Sequence, residues 1–255
     1  MTTSVVDICR YPVKGLNAEF LDAVVLEPGR RLPGDRRFAL AHAASRFQPT
    51  EPTWLPKSEF VTLVRSERLA LLRARFESET GHLAIERAGK QVARARATEP
   101  TGRAILEQFF SAFLRDEARG AVRVAEAPGV AFTDTSPPFV SIINLASVRD
   151  LERVVGGPVD PLRFRANFYI DGGAPWEEFR WVGGEVTIGA ARLAVAERIG
   201  RCAATNVDPE TGERDLNIPL ALERGFKHTQ MGVYARVLAG GRVARGDVIA
   251  AAQTD

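Results

Sequence analysis

Arg198-Ile199-Gly200-Arg201-Cys202-Ala203-Ala204-Thr205-Asn206-Val207-Asp208-Pro209-Glu210-Thr211-Gly212 sets one cysteine directly after one arginine and within four residues of another. Nearby positive charge lowers a thiol pKa and favours the thiolate, the form that acts as nucleophile or metal ligand. An isolated cysteine is also commonly a small buried hydrophobe. On these residues alone both readings stand. The Asp-Pro-x-Thr-Gly run that follows is turn chemistry. The apolar alternation before it, Arg192–Glu197, is that of a strand.

Outward from that point the chain is a series of short apolar runs punctuated by Gly, Pro and charge, a pattern of barrels or sandwiches. Strands are expected near Val5–Cys9, Ala23–Glu27, Phe38–His42, Phe60–Val64, Ala70–Arg75, Leu83–Arg87, Gln91–Ala95 and Val122–Ala125. Later ones are expected near Phe139–Ile143, Asn167–Ile170, Glu185–Ile188, Arg192–Glu197, Val233–Leu238 and Val248–Ala251. Two helices interrupt them. Thr101–Arg115 carries Ile105, Leu106, Phe109, Phe110, Phe113 and Leu114 at helical spacing, and Ala146–Val155 carries Val148, Leu151, Val154 and Val155, with Gly156 as a stop. The phenylalanine stripe reads as core. Residues 116–131 read as a linker. The class is α+β and β-rich.

Composition narrows the chemistry. Of 255 residues, 45% are apolar and 26% charged, so a real core is available. No run approaches the roughly 18 apolar residues of a membrane helix, and the first residues lack a secretion signal, so a cytoplasmic protein without a membrane span is expected. A net charge of +2 gives no field to draw nucleic acid. Two cysteines, Cys9 and Cys202, exclude a disulfide scaffold and any all-cysteine zinc or iron–sulfur site. A Cys9–Cys202 disulfide stays open, with a reducing cytoplasm as the simpler context. The three histidines lie far apart. All but four of the 34 basic residues are arginine, the side chain suited to bidentate grip on phosphate and carboxylate, although codon bias is the simpler account of the surface set.

Three further stretches stand out physically. Tyr11-Pro12-Val13-Lys14-Gly15 puts a lone lysine at a strand end, where it either holds an anion or simply faces solvent. Gly34-Asp35-Arg36-Arg37-Phe38 sets two arginines where a turn feeds a strand. Phe132-Thr133-Asp134-Thr135-Ser136-Pro137-Pro138 is a hydroxyl-rich loop that offers donors to an oxyanion or is a plain turn.

Taken in order, Phe132–Pro138, Phe164-Arg165-Ala166-Asn167-Phe168, the Arg201-Cys202 run, Gly232-Val233-Tyr234 and Gly246-Asp247-Val248 resemble the molybdenum cofactor sulfurase C-terminal (MOSC) domain. Tyr11–Gly15 with Gly34-Asp35-Arg36 resembles the β-barrel domain that precedes it in many proteins. The whole is similar to bacterial relatives of the mitochondrial amidoxime-reducing component. The resemblance implies an N-terminal β-barrel domain over 1–120 and a MOSC β-barrel domain over 125–255, with a few helices and a shared cleft. It implies molybdenum cofactor (molybdenum–molybdopterin), with Cys202 as metal ligand and catalytic residue. Lys14, Arg36, Thr135, Ser136, Arg165, Asn167, Arg201 and Tyr234 would hold the cofactor. The implied activity is reduction of small N-hydroxylated compounds (amidoximes, hydroxylamines, N-oxides). Two electrons from a separate reductase or ferredoxin-like protein and two protons release water, with Tyr234 and Asp134 as candidate proton donors. The alternative is a non-redox carrier of the cofactor, or of sulfur on Cys202. Four departures bear on substrate class. Gly15 and Gly200 stand where hydroxyls are common, Ala166 replaces a usual proline, and Phe47–Lys57 does not follow the Thr-x-Arg-x-x-Pro pattern.

Overall fold

The computed structural model describes residues 2–51, 53–118, 120–126 and 129–251. Its strands in chain order are β1 (Ser4–Arg10), β2 (Glu19–Leu21), β3 (Ala23–Leu26), β4 (Phe38–Ala41), β5 (Leu72–Glu77), β6 (His82–Arg87), β7 (Lys90–Arg96), β8 (Arg123–Glu126), β9 (Phe139–Asn144), β10 (Phe168–Asp171), β11 (Glu185–Ile188), β12 (Ala191–Gly200), β13 (Gln230–Ala239), β14 (Gly241–Ala244) and β15 (Ile249–Ala251). The helices are α1 (Pro100–Leu114), α2 (Leu145–Val155) and α3 (Ile218–Phe226). The class is α+β and β-rich. None of the described helices is long and apolar enough to cross a membrane.

Eight strands form one sheet in the order β15-β11-β12-β13-β9-β10-β1-β2. Only β9 and β10 are parallel, and α2 makes the crossover that a parallel pair requires. Asn144 caps α2 by accepting from the Ala146 N–H at 2.9 Å, and Gly156 ends it in the left-handed conformation. One face of the sheet buries Val5, Ile8, Ile142, Phe168, Leu193 and Val233. Another core, with Cys9, Tyr11, Ile143 and Tyr169, packs against Val148 and Leu151 of α2 and Leu222 of α3. The remaining strands form small sheets, β14-β3, β4-β8 and β5-β6-β7. On the last of these α1 lays Leu106, Phe110 and Leu114 into a third core, as the phenylalanine stripe predicts.

The expected barrels are not found as closed ladders. Closure needs every strand paired on both sides with matched stagger. Here β1 uses one edge on β10 and its Ile8–Arg10 half on β2, so only its first residues reach β15. That contact is an isolated bridge, Ser4 to Val248. The N-terminal strands do not form one cylinder: β1 and β2 join the eight-stranded sheet, and β3 to β7 divide among the three small sheets.

Local boundaries also differ from the expectation. Phe60–Val64 makes a single bridge, Ala41 to Phe60, because the Thr62 carbonyl turns the chain by accepting from Arg65 and Ser66. A 3₁₀ turn over Glu67–Leu71 delays the next strand to Leu72. Within the expected linker, Arg123–Glu126 is β8, while residues 119, 127 and 128 lie outside the described residues. The sequence reading missed β2, β14 and α3. The two thiols are free, so no Cys9–Cys202 disulfide forms.

Candidate functional site

A cleft of about 940 Å³, counted out to its open mouth, is lined by residues from both ends of the chain. Lys14, Arg36, Thr135, Arg165, Asn167, Arg201, Cys202 and Tyr234 all line it. Ser136 does not: its carbonyl accepts from Arg31 on the outer side of the loop.

Backbone pairing explains the convergence. The segment after β1 zips against the segment before β4: the Arg36 N–H donates to Tyr11 O at 2.7 Å, Phe38 N–H to Pro12 O at 2.9 Å, and Lys14 N–H to Phe38 O at 2.8 Å. The Phe132 N–H then donates to Arg36 O, which docks the hydroxyl-rich loop beside them. From the other side, a 3₁₀ turn over Pro161–Phe164, capped by Asp160, delivers Arg165 just ahead of β10. Cys202 follows β12, and its carbonyl accepts from the Thr205 N–H (3.0 Å) and Oγ1 (2.9 Å).

Three cations meet there. Lys14 is 6% exposed, contrary to the solvent-facing reading of a strand-end lysine. Its Nζ donates to Phe132 O at 2.9 Å and pairs with the Asp134 carboxylate. Burial pulls its pKa below the ordinary lysine value, with Asp134 opposing and Arg36 and Arg165 reinforcing the drop. The Arg36 and Arg165 guanidiniums both lie over the Tyr11 ring, at 4.6 and 4.4 Å from its centroid. Both have left-handed backbones, φ 47° and 53°. Non-glycine residues in that region store about 1–3 kcal/mol each and cluster at functional sites. Burial works against the Arg36 charge, but Asp35 at 2.5 Å outweighs it and drives the pKa up. Burial and the neighbouring Arg36 push Arg165 down to about 10. Arg165 Nη1 donates to Leu16 O at 2.7 Å, while its Nη2 is buried without an acceptor among the described residues.

The other expected residues divide by what their polar atoms already do. Arg201 donates to the carbonyls of Met231 and Phe164, so it braces the Cys202 turn. Asn167 Oδ1 accepts from Ser141 N–H and Oγ, and its Nδ2 donates to Cys9 O at 3.2 Å, which ties β9, β10 and β1 together. Thr135 Oγ1 donates to Pro137 O at 3.3 Å. Tyr234 stacks on Phe139, centroids 5.6 Å apart, and burial raises its pKa.

Two of the departures have physical reasons. Gly15 sits at φ +89°, where a serine would be strained and its Cβ would press on Leu69 at 3.0 Å. The Ala166 N–H donates to the Tyr169 hydroxyl at 3.0 Å, a bond that proline cannot make. Nothing lies within 4 Å of a Cβ placed on Gly200, so packing does not exclude a side chain there.

Two arginines escaped the sequence reading. Arg163, 4% exposed, donates to Asn206 O, Asp208 and Asp215 and anchors the turn after Cys202. Its one sequence sign is its place two residues before Arg165. Arg31 Nη2 donates to the carbonyls of Thr135, Ser136 and Pro137, and nothing in its sequence surroundings signals that role.

Residues 130–250 match the family model of the MOSC domain. This chain carries a MOSC domain. Over 98 residues, 38% of this chain and 28% of the relative, it is 35% identical to mitochondrial amidoxime-reducing component 1 of Mus musculus. Over 120 residues, 45% of this chain and 16% of the relative, it is 35% identical to molybdenum cofactor sulfurase of Caenorhabditis elegans. The matched stretch is thus about a quarter of the amidoxime-reducing component and less of the sulfurase. Among solved structures, the YuaD protein of Bacillus subtilis is similar with a TM-score of 0.46 at 13% identity, covering 98% of this chain and 94% of that one. Cys202, Arg165 and Tyr234 lie within the MOSC domain, whereas Lys14 and Arg36 reach its cleft from outside the matched residues.

Proposed function

We propose that this protein binds molybdenum cofactor in the cleft and reduces N-hydroxylated compounds there, with Cys202 as the protein's metal ligand. The observation that carries the reading is the meeting of that one thiol with Lys14, Arg36 and Arg165. Six cations line the cleft (Lys57, Arg163 and Arg201 complete the set) against Asp35 and Asp134, an excess suited to an anion. The residues fit the group. Among the described residues no three His, Cys, Asp or Glu side chains cluster as a metal site, so one thiolate on a soft metal matches a cofactor that brings its own ligands. The buried, unpartnered Arg165 Nη2 is a donor waiting for an oxyanion.

When bound, the cofactor supplies the two-electron redox chemistry that cleaves an N–O bond. The chain's own residues do the rest. Lys14, Arg36 and Arg165 hold the anionic group, and Arg201 and Asn167 brace the walls. The stacked Phe139–Tyr234 pair offers an apolar face to substrate. Of the two proton-donor candidates, Tyr234 is the better. Burial first of all keeps its phenol protonated, whereas Lys14 outweighs the partial desolvation of the half-exposed Asp134 and keeps it a carboxylate. Electrons come from a separate donor protein, since two cysteines cannot hold a cluster of their own. A cytoplasmic location goes with this reading.

The likeness to the sulfurase favours a second reading, a non-redox carrier of cofactor or of sulfur on Cys202. Elemental analysis for molybdenum and phosphorus, on protein purified from cells that make the cofactor, tests the shared premise. Reduction of benzamidoxime with reduced viologen then separates the two. The reductase reading expects metal, turnover with viologen and none with NADPH alone. Metal-loaded protein that is inert with strong donors leaves the carrier, and protein without molybdenum defeats the cofactor reading.

A further inference from the structure

The cleft's cations are answered in different ways. Arg36 has a fixed partner: Asp35 is 4% exposed and also accepts from the Tyr11 N–H at 2.8 Å. Arg165 has no carboxylate within ion-pair distance among the described residues and uses a backbone carbonyl. Lys14, deeply buried, has Asp134, whose side chain is 49% exposed and lines the cleft mouth. A buried ammonium without a counter-charge is costly, and Arg36 and Arg165 make it worse.

The backbone of the Asp134 loop is held from elsewhere. Arg31 Nη2 donates to the carbonyls of Thr135, Ser136 and Pro137 at 2.8, 2.8 and 2.9 Å. Trp54 Nε1 donates to Thr133 O at 3.1 Å, and Lys14 also holds Phe132 O. The Asp134 carboxylate is therefore free of any duty to position the loop. Its one ion-pair partner among the described residues is Lys14. A half-exposed carboxylate with a secured backbone can swing to solvent at little cost, whereas Asp35 cannot.

We propose that Asp134 is an exchangeable internal counter-ion: it occupies on Lys14 the place that an oxygen of the anionic ligand takes, and the ligand displaces it on binding. The proposal rests on the reading of the cleft as an anion site. It makes Asp134 a positioning residue that keeps Lys14 charged and pointing inward before loading. It also sets a threshold, because a ligand must exceed what a single carboxylate offers. Neutral small molecules do not displace it, and polyanionic oxyanions do.

The test uses the full chain freed of molybdenum, titrated calorimetrically with inorganic pyrophosphate as the probe. Asp134→Asn keeps the shape and a weak acceptor for Lys14 but removes the competing charge. Its dissociation constant for pyrophosphate should be roughly tenfold lower than that of the unaltered protein, the scale of one charge-assisted hydrogen bond. Without probe, its Tm should fall by about 2–4 °C, and pyrophosphate should restore it. Asp134→Glu retains the charge, so its affinity should stay at or below the unaltered level. Equal or weaker binding by Asp134→Asn, while the unaltered protein binds, overturns the counter-ion and leaves the anion site standing. Equal tightening by Asp134→Glu overturns it too, because loop loosening would then be the cause. Binding by none of the three defeats both the counter-ion and the anion site beneath it.

Discussion

Cys9 and Cys202 share a side chain and little else. Cys9 is fully buried in β1, where burial first, then Asp7 and Asp35, push its thiol up to about 12. It stays a protonated apolar group at any working pH. Cys202 is part-exposed at the end of β12 and opens into the cleft. Cys202→Ala should therefore abolish viologen-driven benzamidoxime reduction and remove most bound molybdenum, with circular dichroism unchanged. Cys9→Ala should retain turnover and lose about 1 kcal/mol of stability to a small cavity. Full activity in Cys202→Ala would end the ligand assignment. Arg165→Gln, which removes the charge but keeps some hydrogen bonding, should lower molybdenum per protein at least tenfold by elemental analysis, since a bond to a charged group is worth about 1.5–3 kcal/mol. The residues themselves disclosed these roles unevenly. The Arg-Cys run stood out by its charges, although those residues alone left an inert cysteine equally open. The burial of Lys14 was not legible, because a lone lysine after a strand looks solvated until the far loop of Phe132 and Asp134 closes over it. Such burial is a contact across 120 positions, invisible to local pattern.

At the scale of elements, α2 and the segment after β10 hold a carboxyl that no local pattern betrays. Glu178 lies in a 3₁₀ turn, Glu177–Trp181, and is fully buried. The Ser147 hydroxyl of α2 donates to its carboxyl oxygens at 2.9 and 3.0 Å. Burial, only partly offset by these donors, pushes its pKa from 4.5 to about 7. The folded state thus holds a proton that the unfolded state has already lost between those values. Stability is then greatest below about 4.5 and is lost as pH rises to about 7. Glu178→Gln removes the titration. The difference in urea unfolding free energy between Glu178→Gln and the unaltered protein should grow from pH 5 to pH 8, in favour of the variant, by up to about 3 kcal/mol. A constant difference would mean that Glu178 is ionised throughout. Long elements with several turns of periodicity, α1 and α2, were legible in the sequence. The nine-residue α3 was not, although Asn217 caps it by accepting from the Leu220 N–H and a proline sits in its first turn. Two turns with Ile218 and Leu222 inward give too little period to separate a helix from a loop. β14 was missed for a related reason: its partner is β3, more than 200 residues away.

At the scale of the whole molecule, the main sheet and its core do not break where the MOSC match begins. The MOSC match begins at residue 130, and the proposed units are 1–120 and 125–255. Yet β1 lies inside the eight-stranded sheet between β10 and β2, and β3 pairs with β14. Val5, Ile8, Val24, Leu26 and Leu32 are buried in the same core as Ile142, Phe168 and Val233. The cleft follows the same logic. Lys14 comes from the segment that leaves β1, Arg36 from the segment that enters β4, Arg165 from the turn before β10, and the thiol from the segment that leaves β12. The strand exchange that completes the core therefore also assembles the site. Removing residues 1–124 would expose the β10 edge and strip five large apolar side chains from the core, each worth about 1.5–3 kcal/mol when fully buried. That loss is comparable to the entire stability of an ordinary domain, about 5–15 kcal/mol. A fragment of residues 125–255 should accordingly lack a cooperative thermal transition and bind a dye for exposed apolar surface. Adding residues 1–124 as a separate chain should restore the transition, because β1 and β3 are recruited by hydrogen bonds and burial rather than by the covalent link. Cooperative unfolding of the 125–255 fragment alone, at a temperature near that of the full chain, would show that the sheet tolerates the loss of β1 and that the two units are independent.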